Sequence, residues 1–271
     1  MKNKKSLLCF PYLFWSISFI VVPLILIFFY GFSDKEFGFT LENIIAITDP
    51  KNIKALGISV LLALISTIIC TILAYPLSMI LSHSKIQQTG FMIFIFILPM
   101  WMNFLLRTLA WQTLLEKNGV FNMILSFLHL PTLNIINTPY AIVFGMVYNY
   151  LPFMVLPVYN ALCKIDPNVI NAARDLGANS MQTFVRVIFP LSIPGLISGI
   201  TMVFVPALTT FVISDMLGGG KILLIGNVIE QEFKQANNWH MGSGLSVVLM
   251  IFILLGMSLT AKYDKEGGNY F

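Results

Sequence analysis

The stretch KIDPNVINAARDLGANSMQTFVRVIFPLSIPG, residues 164–195, decides how the rest of the chain is read. It lies between two long apolar runs yet carries Lys164, Asp166, Arg174, Asp175 and Arg186. Asp166 followed by Pro167 is an N-cap with proline at the first helical position. Val169, Ile170, Ala172, Ala173 and Leu176 recur at helical spacing, and Gly177 stands where a glycine ends a helix. Ser180 is placed to cap a second helical segment through Phe184 and Val187, which Pro190 and Pro194 close. The spacing therefore predicts a short helix, a glycine turn and another helix at a membrane surface. One face of the first helix is small and apolar at Ala172 and Ala173, with Arg174 and Asp175 beside it. A helix resting on lipid headgroups carries bulky apolar residues on one face and several lysines on the other. This one lacks that pattern, so the reading favours docking against a protein.

The runs on either side set the class. Of 271 residues, 57% are hydrophobic and 10% are charged, and the mean hydropathy is +0.84. A soluble domain carries about 25% charged residues, so an ordinary soluble enzyme, a nucleic-acid binder and a disordered segment are excluded. A helix needs ~20 apolar residues to cross ~30 Å of hydrocarbon. Six stretches meet that need: 12–32, 56–81, 91–115, 139–162, 194–216 and 244–261. Backbone groups in lipid must pair within their own segment, so these are helices. The first run is too long for the apolar core of a signal peptide and no A-x-A-like site follows it, so it reads as a retained span. Prolines interrupt most runs, at Pro23, Pro76, Pro99, Pro152, Pro157 and Pro206. They fit either common membrane architecture or bends around a cavity. Cys9, Cys70 and Cys163 have no metal or disulfide spacing and read as small buried hydrophobes.

Lysine and arginine orient the spans. With the N-terminus inside, nine fall on the cytoplasmic side (Lys2, Lys4, Lys5, Lys85, Lys164, Arg174, Arg186, Lys262, Lys265) against six outside. Both termini are then cytoplasmic. The expected organisation is an N-terminal segment, first span and external loop at 1–54, a core of five spans at 55–262 with the polar loop at 163–193, and a tail at 263–271.

The polar loop also carries a resemblance. Asn171-Ala172-Ala173, Gly177, then Val187, Phe189 and Pro190 are similar to the pattern E-A-A, three residues, Gly, nine residues, I-x-L-P of the type I ABC importer permeases. The loop precedes the last two of six spans, as in that family. Asn171 stands where glutamate is usual, which removes any salt bridge from that position. Residues 206–229, PALTTFVISDMLGGGKILLIGNVI, and the segment around Asn103, Arg107 and Thr108 resemble the first membrane subunit of spermidine/putrescine importers. The resemblance implies an all-α, six-helix MetI-like fold in a bacterial inner or plasma membrane. It implies a cytoplasmic coupling helix involving Asp166, Asn171, Ala172, Ala173, Arg174, Asp175, Gly177 and Pro190. The implied partners are two ATP-binding subunits that hold ATP and Mg2+, a second homologous permease, a polyamine-binding protein and membrane lipid, with no nucleic acid. This chain then needs no cofactor or metal and is not itself an enzyme.

For a polycationic substrate, Asp215 is the lone carboxylate in a predicted span. It reads either as an acid near the pathway entrance or as an interfacial residue. Tyr148, Asn149 and Tyr150 lie mid-span, where aromatic faces and an amide carbonyl suit alkylammonium groups or simple helix packing. Arg107 would repel a polycation and reads as structural, held by helix carbonyls or by Asp215. Trp111 reads as an interfacial anchor. Gly218-Gly219-Gly220-Lys221 is followed by Ile222, so no phosphate loop is present. The segment 217–244 reads as a flexible external loop, with Glu230, Glu232 and Trp239 facing the binding protein. Two rival readings stand: a permease for another solute, and a self-sufficient channel or secondary transporter. The latter predicts internal repeats and ionisable groups at mid-membrane.

Overall fold

The computed structural model describes residues 11–36, 38–83, 98 and 100–267, the side chains at 83 and 259–267 excepted. The N-terminal lysine cluster, Cys9, Lys85, Pro99, the first part of the third predicted span and the last residues of the tail lie outside the described residues. In chain order the main helices are α1 (Pro11–Gly31), α2 (Pro50–His83), α3 (Phe104–Leu115), α4 (Val120–Phe127), α5 (Pro139–Cys163) and α6 (Pro167–Asp175), followed by α7 (Ser180–Thr209), α8 (Val212–Gly218), α9 (Ile225–Lys234) and α10 (Trp239–Gly267). Among the described residues the only β pairing is an isolated bridge between Ser33 and Phe39. Among the described residues, five helices are long and apolar enough to cross a membrane: α1, α2, α5, α7 and α10.

The chain divides into two compact units, Met1–Ala55 with Val228–Leu254, and Leu56–Asn227 with Leu255–Phe271. In the first, Ala55, Val228 and Leu245 form a small core against Ile47, Ile229 and Met241. His240 Nδ1 donates to Ser33 O at 2.7 Å, and Asn43 Nδ2 donates to the same carbonyl at 2.9 Å, tying the end of α1 to the start of α10.

The second unit is organised by small residues. Ser59, Ala63, Ser66, Cys70, Ala74 and Ser78 are fully buried along one stripe of α2. Lipid gives helices no hydrophobic drive to associate, so close approach and interhelical hydrogen bonds do the work. Ser78 Oγ donates to Val155 O at 3.1 Å, Ser66 Oγ contacts Met146 Sδ at 3.3 Å, and Tyr75 Oη lies 2.7 Å from Ser192 Oγ. The buried Cys70 thus behaves as its spacing predicts.

Four expectations change. The third predicted span is not one continuous helix: Trp101 is helical, Asn103 is extended (φ −55°, ψ 127°), and α3 starts anew after it. The Asn103 side chain accepts from Leu105 N and Leu106 N, offering the backbone a cap in place of a helical turn.

Pro190 and Pro194 do not close the segment after Gly177. Helix α7 runs from Ser180 through both prolines, beginning with one turn at Ser180–Thr183 and a π-helical stretch at Phe184–Ile188. The wide turn shifts the hydrogen-bond register to i+5 just before Pro190, so its missing N–H falls where the ladder is already interrupted. Asn179, not Ser180, caps this helix. Its Oδ1 accepts from Gln182 N at 2.8 Å and Gln182 Oε1 accepts from Asn179 N at 2.9 Å.

The fifth span ends at Thr209 rather than 216, because Thr210 is extended (φ −64°, ψ 139°). Asp215 therefore sits beyond the break, on the short helix α8. Finally, 217–244 is no flexible loop. It contains α9, and Leu224, Ile225, Asn227 and Val228 are buried.

Candidate functional site

The polar segment between α5 and α7 is built from local interactions. Asp166 Oδ1 accepts from Asn168 N at 2.9 Å, satisfying one of the orphan donors of α6. At the other end Gly177 N donates to Arg174 O at 2.8 Å and Ala178 N to Ala173 O at 3.1 Å. That pair of bonds is a Schellman motif, and Gly177 supplies its left-handed residue at φ +86°. No residue of α6 is buried. Asn171, Ala172, Arg174 and Asp175 are exposed, Ala173 is half-buried, and Leu176 just beyond is 89% exposed. The helix thus combines capped ends, small residues and an unburied apolar rim. Pro190 lies apart from this face, within α7.

The break after α7 is held by long-range bonds. Asn227 Nδ2 donates to Phe211 O at 3.1 Å and to Asp215 Oδ1 at 2.6 Å. Asn227 Oδ1 accepts from Ser214 Oγ at 2.8 Å and from Leu224 N at 3.1 Å. Ser59 Oγ accepts from Ile225 N at 2.8 Å, which fastens the start of α9 to α2. Asp215 is thus exposed yet bound into this network. Sequence reasoning missed Asn227, whose signal was an amide two residues past the apolar run 222–225.

The mid-span residues separate. The Tyr148 ring carries the Arg107 guanidinium at 5.7 Å from its centroid and packs edge-on against Trp111 at 5.0 Å. Arg107 is 7% exposed, so this cation is sheltered by an aromatic face within the chain. Trp111 also packs on Phe121 and Phe144, so it is part of an internal aromatic stack. Asn149 is buried and donates to Gly145 O at 2.8 Å. Tyr150 is buried too, and its hydroxyl donates to Pro206 O at 3.3 Å, beside the end of α7. The structure does not bring Tyr148, Asn149, Tyr150 and Asp215 to one open surface.

What is open lies one to three turns further along the same helices. A cavity of about 880 Å³ runs between α5 and α7. Phe153 and Asn160 line it from α5, Lys164 from just past the end of α5, Ser198 and Met202 from α7, and Asp166 at the start of α6. Asn160 and Ser198 are the signal that sequence reasoning passed over: polar side chains from two spans that line the same cavity.

The chain has relatives along nearly its whole length. It is 36% identical over 260 residues to the spermidine/putrescine transport system permease protein PotB of Haemophilus influenzae, covering 93% of this chain and 91% of that one. It is also 36% identical to the protein of that name from Escherichia coli, covering 90% and 91%. Identity to the inner membrane ABC transporter permease protein YdcU of E. coli is 31%, over 86% and 80%. Among solved structures, a chain of a bacterial alginate ABC transporter in complex with an alginate pentasaccharide-bound periplasmic protein superposes with a TM-score of 0.74. That match has 16% identity and covers 96% of this chain and 94% of that one, so it supports the fold alone. The all-helical architecture, the capped surface helix between two spans and a family match over residues 4–264 lead to one assignment. This chain belongs to the binding-protein-dependent transport system inner membrane component family.

Proposed function

We propose that this protein is a permease subunit of an ATP-driven importer of polyamines, spermidine and/or putrescine. The observation that carries the reading is 36% identity, over about nine-tenths of the chain, to permeases named for those two substrates. Six spans, as the sequence reading counts them, supply half of a translocation pathway in a bacterial inner membrane. Residues 55–262 form the permease core, and both termini are cytoplasmic. A second, homologous permease completes the pathway. Two subunits that bind ATP and Mg2+ power it, and a polyamine-binding protein delivers substrate from outside. Helix α6 acts as the coupling helix. Its small face at Ala172 and Ala173, its terminal caps at Asp166 and Gly177, and its exposed Asn171, Arg174 and Asp175 meet an ATP-binding subunit. ATP closes that pair of subunits, and α6 passes the movement directly into α7 past Pro190. Asp215 serves as the acid near the outer end of the pathway, while Tyr148, Asn149 and Tyr150 shape the wall behind it. An effector shifts a conformational equilibrium only by its differential affinity for the two states, and here that effector is ATP.

The test is uptake of labelled spermidine and putrescine by vesicles holding the complete reconstituted complex, with the binding protein on the outside. Uptake that requires ATP and binding protein is the expected result. ATP-independent uptake by this chain alone would establish a channel or secondary transporter instead.

A further inference from the structure

We propose that the cavity between α5 and α7 is a transit site for an alkylammonium chain, recognised by neutral oxygens and an aromatic face rather than by carboxylates. This inference rests on the polyamine reading above. The cavity's wall follows one stripe of each helix: Phe153, Pro157 and Asn160 on α5 with Lys164 just past its end, and Leu191, Gly195, Ser198 and Met202 on α7. From Phe153 to Lys164 the stripe rises about 16 Å at 1.5 Å per residue, roughly half of a ~30 Å hydrocarbon layer.

The described lining carries charge only at the coupling end, where Lys164 and Asp166 stand, and Asp166 already caps α6 through Oδ1. Deeper in, the polar side chains are Asn160 and Ser198. The prolines add to these. Pro157 has no N–H to give the carbonyl of Phe153, and Pro206 has none to give the carbonyl of Met202. Both of those residues line the cavity. Two helical carbonyls that lose a proline donor, an amide oxygen and a hydroxyl share one chemistry: acceptance of N–H groups without a fixed negative charge. The Phe153 ring supplies a face for a cation, and Leu156, Leu191 and Met202 supply apolar wall for methylene groups.

This solves a difficulty set by the sequence, a polycation importer with almost no acid in its spans. A pathway must bind well enough to admit its cargo and weakly enough to release it. Neutral acceptors spread along a groove meet both demands, whereas buried carboxylates would hold several ammonium groups too long.

The experiment uses the full complex in vesicles with labelled spermidine, and co-purification of all subunits as the measure of assembly. Asn160→Leu with Ser198→Val removes the two side-chain oxygens, and uptake should fall about tenfold or more. Asn160→Gln with Ser198→Thr keeps the oxygens and should restore most of it. Asn160→Asp places a charge in the groove: the purified complex should then retain spermidine at concentrations where the unaltered complex does not, and its uptake should slow. If the apolar pair fails to assemble, the Asp variant decides, because it preserves size and polarity. An Asp variant with unchanged retention and unchanged rate overturns the site. So does an assembled apolar pair that transports normally. If the unaltered complex takes up neither polyamine, the polyamine reading falls and takes the ligand class assigned here with it.

Discussion

Two segments interrupt the helices of the second unit, and they are held in opposite ways. Between α5 and α7, residues 164–179 are fixed by bonds that each span five residues or fewer, from Asp166 to Asn168 and from Gly177 and Ala178 back to the end of α6. Beyond α7, residues 210–227 are fixed by partners up to 166 positions apart, with Asn227 bonded to four groups at once. The first segment is mostly exposed, whereas half of the second is buried. A locally coded, exposed element moves as a unit and tolerates change; a buried network fails when one member is removed. The former suits a lever and the latter an anchor.

The largest effect should come from breaking the anchor. Asn227→Leu removes the amide that bonds Phe211 O, Leu224 N, Ser214 Oγ and Asp215 Oδ1, and it takes from the buried Leu224 N its side-chain acceptor, while Ser214 Oγ keeps Ile222 O. Unsatisfied groups of this kind cost about 1–3 kcal/mol each, and a shared network gives less than the sum. A loss of roughly 3 kcal/mol predicts a melting temperature lower by about 6–12 °C, measured on purified complex in detergent. A shift below 2 °C would show that the network is not what holds the break.

Breaking the lever should leave stability nearly untouched and damage transport. Gly177 at φ +86° accepts no β-branched side chain without strain of about 1–2 kcal/mol. A Cβ there meets nothing within 4 Å, so crowding is not the cause. Gly177→Val should cut ATP-driven uptake about tenfold with little change in melting, whereas Gly177→Asn, which tolerates this conformation, should stay close to normal. Equal losses in both variants would remove backbone conformation as the explanation.

The same contrast explains what the sequence could and could not reveal. Asp166-Pro167 and Gly177 are signals read within a single turn, and the helix they delimit was predicted with its ends in place. The break at Thr210 has no local breaker. It exists because Ser59, Asn227 and Phe211 come together from distant positions, and no periodicity records that. Pro190 misled for a related reason: proline ends a helix only when no wider turn precedes it, and the π-helical stretch at Phe184–Ile188 supplies one. Apolar length carried the spans and capping signals the surface helix; family likeness added the type of fold. It could not say that Tyr148 faces Arg107, or that the open groove lies beside Asn160 and Ser198.

Asp215 belongs to the anchor yet is exposed, so it separates two roles. Asp215→Asn keeps an acceptor for Asn227 and removes the charge. If the acid also meets substrate, half-saturating polyamine in the uptake assay should rise about tenfold while melting changes by less than in Asp215→Ala. Normal uptake by the Asn variant, with Asp215→Ala destabilised, would confine the residue to holding the break.

The smallest effect concerns the start of α7, where lever and span meet. Asn179 and Gln182 bond reciprocally, so Asn179→Ala removes a cap contributing about 1 kcal/mol. The rest of α7 is packed in the span, so global melting should not move. The loss appears only as local fraying. Amide exchange at residues 180–183 should quicken about fivefold, since 1.4 kcal/mol corresponds to a factor of ten. Asn179→Ser should restore protection, because serine caps comparably. Ser180→Ala supplies the counter-test: its side chain is the cap expected from sequence, yet the reciprocal bonds are made one residue earlier. If exchange quickens in Ser180→Ala and not in Asn179→Ala, the register of the cap is wrong by one residue.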